Sequence, residues 1–289
     1  MNYKPPSPNP IPADRQPQTI RSRIQRHFQK EASPQLLDDT VVIESPLEIC
    51  LQYKKDDHHT VTRPISLTMR TPGSDTELAL GYLYNEGVVQ TPDALSGPVT
   101  TPTPNHVEVP LRKIPDLPES RNLTTSSCGI CSTTSLQTFL NQKIIPLPDP
   151  LEPVLEKDLI HSLPETLLQN QTAFSSTGGL HAAAALDNQG NQLTLKEDIG
   201  RHNAVDKVTG HLFQQNLLPI STPLLLLVSG RTSYEIVQKT LKMRIPILVG
   251  IGPPSSLAIE IATQAHLTLI GFLSDKKFNV YSASERLKL

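Results

Sequence analysis

The chain has 289 residues, a formal net charge of −2 and a hydrophobic content of 37%, which is typical of a soluble globular protein. The near-neutral charge excludes a generally basic surface of the kind that binds nucleic acid. No apolar run approaches the roughly 20 residues of a membrane span, and the first 20 residues lack the apolar segment of a secretory signal. Three cysteines are too few for a disulfide framework, so we expect a cytoplasmic protein.

The N-terminal segment, residues 1–35, is rich in proline and in basic residues. Such a composition buries too little apolar surface to fold, which predicts a disordered tail. An alternative for its TIRSRIQRHFQK stretch is a short amphipathic helix that contacts a partner.

Residues 36–125 are predicted to form a small β-rich domain. The stretches TVVIES, LEICLQY, HTVTRPISLTMR and HVEVPL are rich in β-branched residues and partly alternate, which indicates strands. Between them, DTELALGYLYNEG has the apolar spacing of a helix, with Asp75 as its cap and Gly87 at its end. Cys50 lies in one of these strands, where it is expected to be buried and has no assigned role.

Residues 126–289 alternate between strand and helix patterns, which predicts an α/β domain whose sheet is covered on both faces. LHAAAALD and QLTLKED form a predicted hairpin around residues 188–191, and Pro164 is expected to break the helix EKDLIHSLPETLLQN. Binding sites in such sheets form at the carboxyl ends of strands.

TSSCGICSTTS contains the closely spaced pair Cys128 and Cys131. One CxxC offers only half of a zinc site, and its neighbouring serines could start a helix whose dipole favours a thiolate at Cys128. The spacing alone leaves a half metal site, a dithiol redox pair and a sulfur carrier open.

Three polar stretches follow. SSTGGLHAAA has Gly178 and Gly179 before His181, and a Gly-Gly pair lets a backbone approach a ligand closely. SGRTSYE follows a run of leucines and places Arg231 before a helix start, which suits an anion. The P-loop and GxGxxG patterns are absent.

KEDIGRHNAVDK crowds charges at a third strand-to-helix junction. Asp198 occupies a predicted N-cap position, and Arg201 could bind a phosphate with two hydrogen bonds. His202 and Asp206 are four residues apart, so Asp206 could orient the imidazole. Lys207 is a further charged residue of this stretch.

Taken together, these stretches resemble one family, the formate dehydrogenase accessory sulfurtransferases (FdhD family). The matching segments occur in the family's order over about residues 40–285; they are MRTPGSDTELALGYLYNEGVV, SSCGICS, TGGLHAAA, EDIGRHNAVDKV, SGRTSYEIVQK and LTLIGF…FNVYS. The resemblance implies a cytidine-deaminase-like fold for residues 126–289 and a homodimer.

The resemblance also implies a sulfurtransferase. Cys128 would accept a persulfide from a cysteine desulfurase, with help from Cys131, and pass the sulfur to the molybdenum of bis(molybdopterin guanine dinucleotide) for formate dehydrogenase. No permanently bound metal is expected. The cofactor-binding residues would be Gly178, Gly179, His181, Arg201, His202 and Arg231, together with the loop Phe272, Leu273, Ser274, Asp275, Lys276 and Lys277.

Two departures and two alternatives remain. The family commonly has Gly and Arg where this chain has Asp275-Lys276-Lys277, and a lysine lacks the two-pronged geometry of a guanidinium. Ser132 stands where the family often has Gly. A zinc deaminase would need H-x-E before P-C-x-x-C, an order this chain does not have. A chaperone that binds the cofactor without moving sulfur is the other alternative.

Overall fold

The computed structural model describes residues 17–29, 33–56, 59–115, 144–150, 154–222 and 224–288. Cys128 and Cys131 lie outside these residues, as does the predicted helix start STTSLQTFLN. None of the helices in the described ranges combines the length and the apolar character needed to cross a membrane.

Regular secondary structure begins earlier in the sequence than the composition predicts. Residues assigned to the disordered tail form β1 (Thr19–Arg26), which pairs antiparallel with β2 (Gln35–Val42) along its whole length. The alternative of an amphipathic helix over this stretch is therefore wrong. The apolar residues Ile20 and Ile24 of this strand are separated by three polar residues, two of them arginines. The alternation of apolar and polar residues that indicates a strand is therefore incomplete.

A four-stranded sheet follows, in the order β4-β3-β6-β5. Its strands are β3 (Ser45–Lys54), β4 (Thr60–Arg70), β5 (Thr100–Thr103) and β6 (His106–Leu111). The helix α1 (Asp75–Asn85) connects β4 to β5, with Ser74 rather than Asp75 as its N-cap. Gly87 follows the helix at φ +76°, the left-handed conformation that glycine adopts most easily.

The second half contains a six-stranded sheet in the order β13-β12-β11-β10-β8-β9. Its strands are β8 (His181–Asp187), β9 (Gln192–Asp198), β10 (Leu224–Val228), β11 (Ile247–Gly250), β12 (Thr268–Gly271) and β13 (Asn279–Ser282). β10, β11 and β12 are parallel, whereas β8, β9 and β13 run antiparallel to their neighbours. Two short strands, β7 (Leu155–Glu156) and β14 (Leu287–Lys288), pair in parallel outside this sheet.

Within the described residues, five α-helices accompany this sheet. They are α2 (Lys157–Asn170), α3 (Thr172–Thr177), α4 (Arg201–Gln214), α5 (Tyr234–Lys242) and α6 (Ser256–Gln264). Pro164 lies inside α2 without ending it, contrary to the predicted break. Ile160, Leu163 and Leu167 bury one face of α2, and this packing outweighs the hydrogen bond that a proline removes.

Both faces of the six-stranded sheet are covered. Ala183, Leu226 and Leu248 belong to a cluster with α4, α5 and α6, while the alternating residues Ala184 and Leu227 pack with α2. The mixed α/β class is therefore confirmed.

One crossing of two helices connects the two halves of the chain. A Cβ added at Gly81 of α1 would lie 1.8 Å from the carbonyl oxygen of Asp206 in α4, and one at Gly210 would lie 1.8 Å from that of Glu77. The backbones of α1 and α4 are thus in direct contact. A single apolar cluster also includes residues of both predicted domains, although a boundary near residue 125 stays a prediction.

Candidate functional site

The polar junctions predicted from the sequence meet at one edge of the six-stranded sheet. The parallel strands β10, β11 and β12 all end there. β8 is antiparallel to β10, so its first residue, His181, lies at the same edge. His181 pairs with Asp198, the last residue of β9, which brings the start of α4 to this place. We call it the site edge.

His181 lies near two arginines of this edge, Arg201 and Arg231. A Cβ at Gly230 would lie 3.2 Å from Nδ1 of His181 and 3.8 Å from Cδ of Arg201, so the glycine leaves room for both side chains. Burial lowers the pKa of His181 below its usual value, and the charges of Arg201 and Arg231 lower it further. The imidazole is therefore neutral at neutral pH, beside two cationic groups.

Arg201 has a donor that is not used within the described part of the chain. Its Nε is buried and has no hydrogen-bond partner among the described residues. A buried donor without a partner costs free energy unless a ligand or water accepts from it. An anion at the site edge would be such an acceptor.

His202 belongs to the site edge, but Asp206 does not orient it. Its Nε2 lies 3.4 Å from Oγ of Ser233 and 3.8 Å from a carboxylate oxygen of Glu235. Asp206 instead accepts from Nζ of Lys239 at 2.6 Å and from Nδ2 of Asn85 at 2.7 Å. The expected His202–Asp206 contact is wrong because a lysine 33 positions later competes for the carboxylate.

Asp198 and Lys207 are buried and stabilise the junction between β9 and α4. Asp198 is the last residue of β9, and Gly200 is the N-cap of α4, so the predicted N-cap role of Asp198 is wrong. Its Oδ2 lies 2.8 Å from Nζ of Lys207 and accepts from the backbone N–H of Thr71, while Oδ1 accepts from the N–H of Gly200. The charged motif thus divides into two residues at the site edge, Arg201 and His202, and an internal framework.

Backbone hydrogen bonds link the segment that contains Arg231 to the predicted cofactor-binding loop at residues 272–277. The N–H of Gly252 donates to the carbonyl of Gly230 at 3.2 Å, and the N–H of Phe272 donates to the carbonyl of Gly252 at 3.2 Å. A Cβ at Gly252 would lie 2.8 Å from the oxygen of Gly230. Arg231 itself is exposed.

The loop after β12 is anchored at its start and exposed beyond it. Phe272 has φ +52° and an exposed ring, whereas Leu273 is buried. Oγ of Ser274 accepts from the N–H groups of Lys276 and Lys277. Asp275, Lys276 and Lys277 are all exposed, so both ammonium groups face solvent beside the site edge.

A cavity of about 510 Å³ opens beside His181. Gly178, Gly179, His181 and Ser229 line one side, and the side chains of α2 and α3 line the other. Gly178 has φ +66° at the end of α3, so the glycine pair turns the chain into β8 next to the cavity. The structure therefore brings the predicted glycines, histidines and arginines to one edge.

Sequence reasoning missed several residues of this edge. Glu235 and Ser233 approach His202, and Gln171 lines the cavity with its buried Nε2 unpartnered among the described residues. Gly252 follows β11 in the sequence much as Ser229 and Gly230 follow β10, so this glycine could have been identified from the pattern. Among the described residues of this edge, no three side chains group as metal ligands. Cys128 and Cys131, on which the zinc-deaminase alternative depends, lie outside these residues.

Comparisons with known proteins agree with the motifs. A model of the FdhD/NarQ family matches residues 42–288. The "Sulfur carrier protein FdhD" of Sulfurisphaera tokodaii is 44% identical over 250 residues, which cover 86% of this chain and 92% of that protein. The protein of the same name from Streptomyces avermitilis is 42% identical over 263 residues, covering 87% and 90%.

A solved structure has the same fold. The crystal structure of a candidate formate dehydrogenase accessory protein from Desulfotalea psychrophila superposes with a TM-score of 0.73, covering 94% of this chain and 100% of that one. At 23% identity this likeness is evidence of the fold. Since the family model and the relatives cover most of its length, the chain belongs to the FdhD/NarQ family.

Proposed function

We propose that this protein is a sulfur carrier that activates formate dehydrogenase. Relatives more than 40% identical over about nine-tenths of their length are named sulfur carrier proteins. The observation in the structure that carries the proposal is the buried Nε of Arg201, which has no hydrogen-bond partner among the described residues and lies near the neutral His181. This pair suits the phosphates of a large anionic acceptor.

The sulfur would travel as a persulfide on Cys128. The thiolate of Cys128 attacks the terminal sulfur of a cysteine desulfurase persulfide, and the desulfurase thiolate leaves. The terminal sulfur then moves to the molybdenum of bis(molybdopterin guanine dinucleotide), with Cys128 as the leaving thiolate. In this route the two electrons that reduce the sulfur to sulfide come from the metal. In the alternative route the thiolate of Cys131 attacks the inner sulfur of the Cys128 persulfide, so that a Cys128–Cys131 disulfide forms and hydrosulfide is the leaving group that passes to the acceptor.

The site edge would hold the acceptor during this step. Arg201 and Arg231 would bind phosphates, with the Gly178–Gly179 turn allowing close approach. His181 and His202 would donate to the same oxygens or stabilise the persulfide anion. The Phe272–Lys277 loop would contact the guanine end, where Lys277 supplies charge without the two-pronged geometry of an arginine.

Mass spectrometry of the protein after incubation with a cysteine desulfurase and cysteine tests the carrier step. We expect a gain of one sulfur atom on the peptide that contains Cys128, reversed by a reducing thiol. A Cys128→Ala variant should show no such gain and should leave formate dehydrogenase inactive in cells. Full activation by this variant would contradict the proposal and favour the chaperone alternative.

A second variant separates sulfur loading from acceptor binding. Arg201→Gln should still receive the persulfide on Cys128, yet it should activate formate dehydrogenase poorly because the acceptor binds more weakly. Arg112→Gln is the matched control, since Arg112 is exposed and its Nε donates to the carbonyl of Asp93, away from the site edge. Equal activation by both variants would argue against a role of Arg201 in binding.

A further inference from the structure

We infer that the outer face of the four-stranded sheet is a binding site for a divalent transition metal such as Zn²⁺, with Glu48, Cys50 and His106 as its ligands. One potential ligand atom from each of these residues lies within 4.8 Å of the other two. The trio includes no residue of the site edge and is independent of the proposed sulfur transfer.

The topology of the sheet brings these residues together. β3 and β6 are parallel neighbours, and their register pairs Glu48 with His106 and Cys50 with Glu108. Successive side chains of a strand point to opposite faces. Ile49 is fully buried in the core, so Glu48 and Cys50 lie on the other face, beside His106 and Glu108.

The imidazole of His106 lies between two carboxylates. Its Nδ1 lies 2.9 Å from Oε2 of Glu48, and its Nε2 lies 3.3 Å from Oε1 of Glu108. Metal binding requires the tautomer in which Nε2–H donates to Glu108, so that Nδ1 presents its lone pair to an ion that replaces the present contact between Nδ1 and Glu48. Histidines that bind metals characteristically donate their other ring N–H to a carboxylate in this way.

Glu108 is itself held in position. Nε2 of Gln52 donates to Oε2 of Glu108 at 3.2 Å, while Oε1 faces the imidazole. The positioning carboxylate is thus anchored from the same face of β3 that carries the trio. A histidine–carboxylate contact on an ordinary surface does not need this additional support.

The donor set and its charge suit a transition metal. A thiolate and an imidazole favour Zn²⁺ over Mg²⁺ or Ca²⁺, and the charges of Cys50 thiolate and Glu48 would balance those of a dication.

The site is also reachable. Cys50 is buried, whereas the side chains of Glu48 and His106 are 40% and 24% exposed. A metal could therefore approach from the side of Glu48 and His106. This exposure also means that Glu48 and His106 can be replaced with little effect on the core.

Cobalt titration of the full chain tests this inference. The background is Cys128→Ser with Cys131→Ser, since the CxxC pair could bind metal by itself. After removal of metals with a chelator, we expect one equivalent of Co²⁺ to bind with a thiolate-to-cobalt absorption band. Competition by Zn²⁺ should abolish the band, and elemental analysis should find one bound zinc.

Variants in that background decide which residues bind. Cys50→Ser should remove the absorption band, and His106→Gln and Glu48→Gln should each weaken Co²⁺ binding by about tenfold or more. Glu108→Gln should weaken it by about 10- to 100-fold, as expected for a positioning residue. His59→Gln is the matched control, because this exposed histidine contacts Asp56 elsewhere on the surface.

Two results would overturn the inference. One is cobalt binding far below one equivalent in the background protein. The other is binding that His106→Gln and Glu48→Gln leave as it is in the His59→Gln control. Because these two side chains are partly exposed, their variants keep the test decisive even if Cys50→Ser fails to fold.

Discussion

His181 titrates in the electrostatic field of Arg201 and Arg231, and this makes its protonation sensitive to whatever occupies the site edge. Both guanidinium groups oppose a positive charge on the imidazole. An anion bound by the two guanidinium groups would favour the protonated imidazole. The residue therefore reports on binding through its pKa.

We expect His181 to lower the stability of the ligand-free protein in mild acid. Its pKa is lowered in the folded state, so the unfolded chain takes up the proton first as the pH falls through about 6.5. Folding stability is then lost progressively until the folded pKa is reached. His181→Gln should unfold at a midpoint temperature that falls less between neutral pH and this lower range.

Phosphate supplies the complementary measurement. Bound phosphate should raise the pKa of His181 and reduce the acid loss of stability in the wild type but not in His181→Gln. His27→Gln, at an exposed histidine of the N-terminal segment, serves as the control. Identical pH profiles for wild type and His181→Gln would mean that the imidazole does not experience these charges.

At the scale of single residues, the sequence could indicate which side chains belong to the site but not how their charges pair. Arg201, His202 and Arg231 follow strand patterns closely, so their gathering at one edge is predictable from topology. The partner of Asp206 is Lys239, and that of His106 is Glu48, 58 positions away. Such pairs depend on strand register and helix packing, which local spacing does not contain.

At the scale of elements, the contact between α1 and α4 leaves no room for a side chain. Gly81→Ala and Gly210→Ala would each place a methyl group against a backbone carbonyl, which cannot move without separating the helices. We expect each variant to lower the free energy of unfolding by about 3 kcal/mol, the upper end for overpacked interiors. Denaturant titration measures this change.

Gly97→Ala is the control for that experiment, because an added Cβ there has nothing within 4 Å. It should remain within about 0.5 kcal/mol of the wild type. Wild-type stability of Gly81→Ala would show that the helices can separate without cost.

The elements themselves were largely predictable where apolar residues recur regularly. The β8–β9 hairpin, α4 and the alternation from β10 to β13 follow from periodicity and turn residues. The sequence did not predict β1, because its many arginines make the segment look too polar for a strand despite two isoleucines. The helix α2 continues through Pro164 because packing of its buried face stabilises it. In both cases a tertiary contact outweighs the local preference.

At the scale of the whole molecule, Lys207 joins the two halves through buried polar contacts. Its ammonium lies 2.8 Å from Asp198 and donates to the carbonyls of Thr71 and Glu197. Lys207→Met would leave the buried carboxylate of Asp198 without its cation. We expect a loss of about 3 kcal/mol in the free energy of unfolding.

Lys288→Met provides the comparison for Lys207→Met. Lys288 pairs with Glu156 at a similar distance of 2.7 Å, but both side chains are more than half exposed. Its loss should cost no more than about 1 kcal/mol. Equal effects of the two variants in urea unfolding would mean that burial does not strengthen the Lys207 contact.

The contacts of the Asp198 carboxylate restrict how the two halves of the chain can evolve. It accepts from Thr71 in the first half and from Gly200 at the start of α4, so one side chain sets both the docking of the halves and the position of Arg201. A recombination event that exchanged residues 36–125 for an unrelated domain would remove Thr71 and Gly81 together. We therefore expect Arg201 and the N-terminal sheet to evolve as one unit, although they are far apart in the gene.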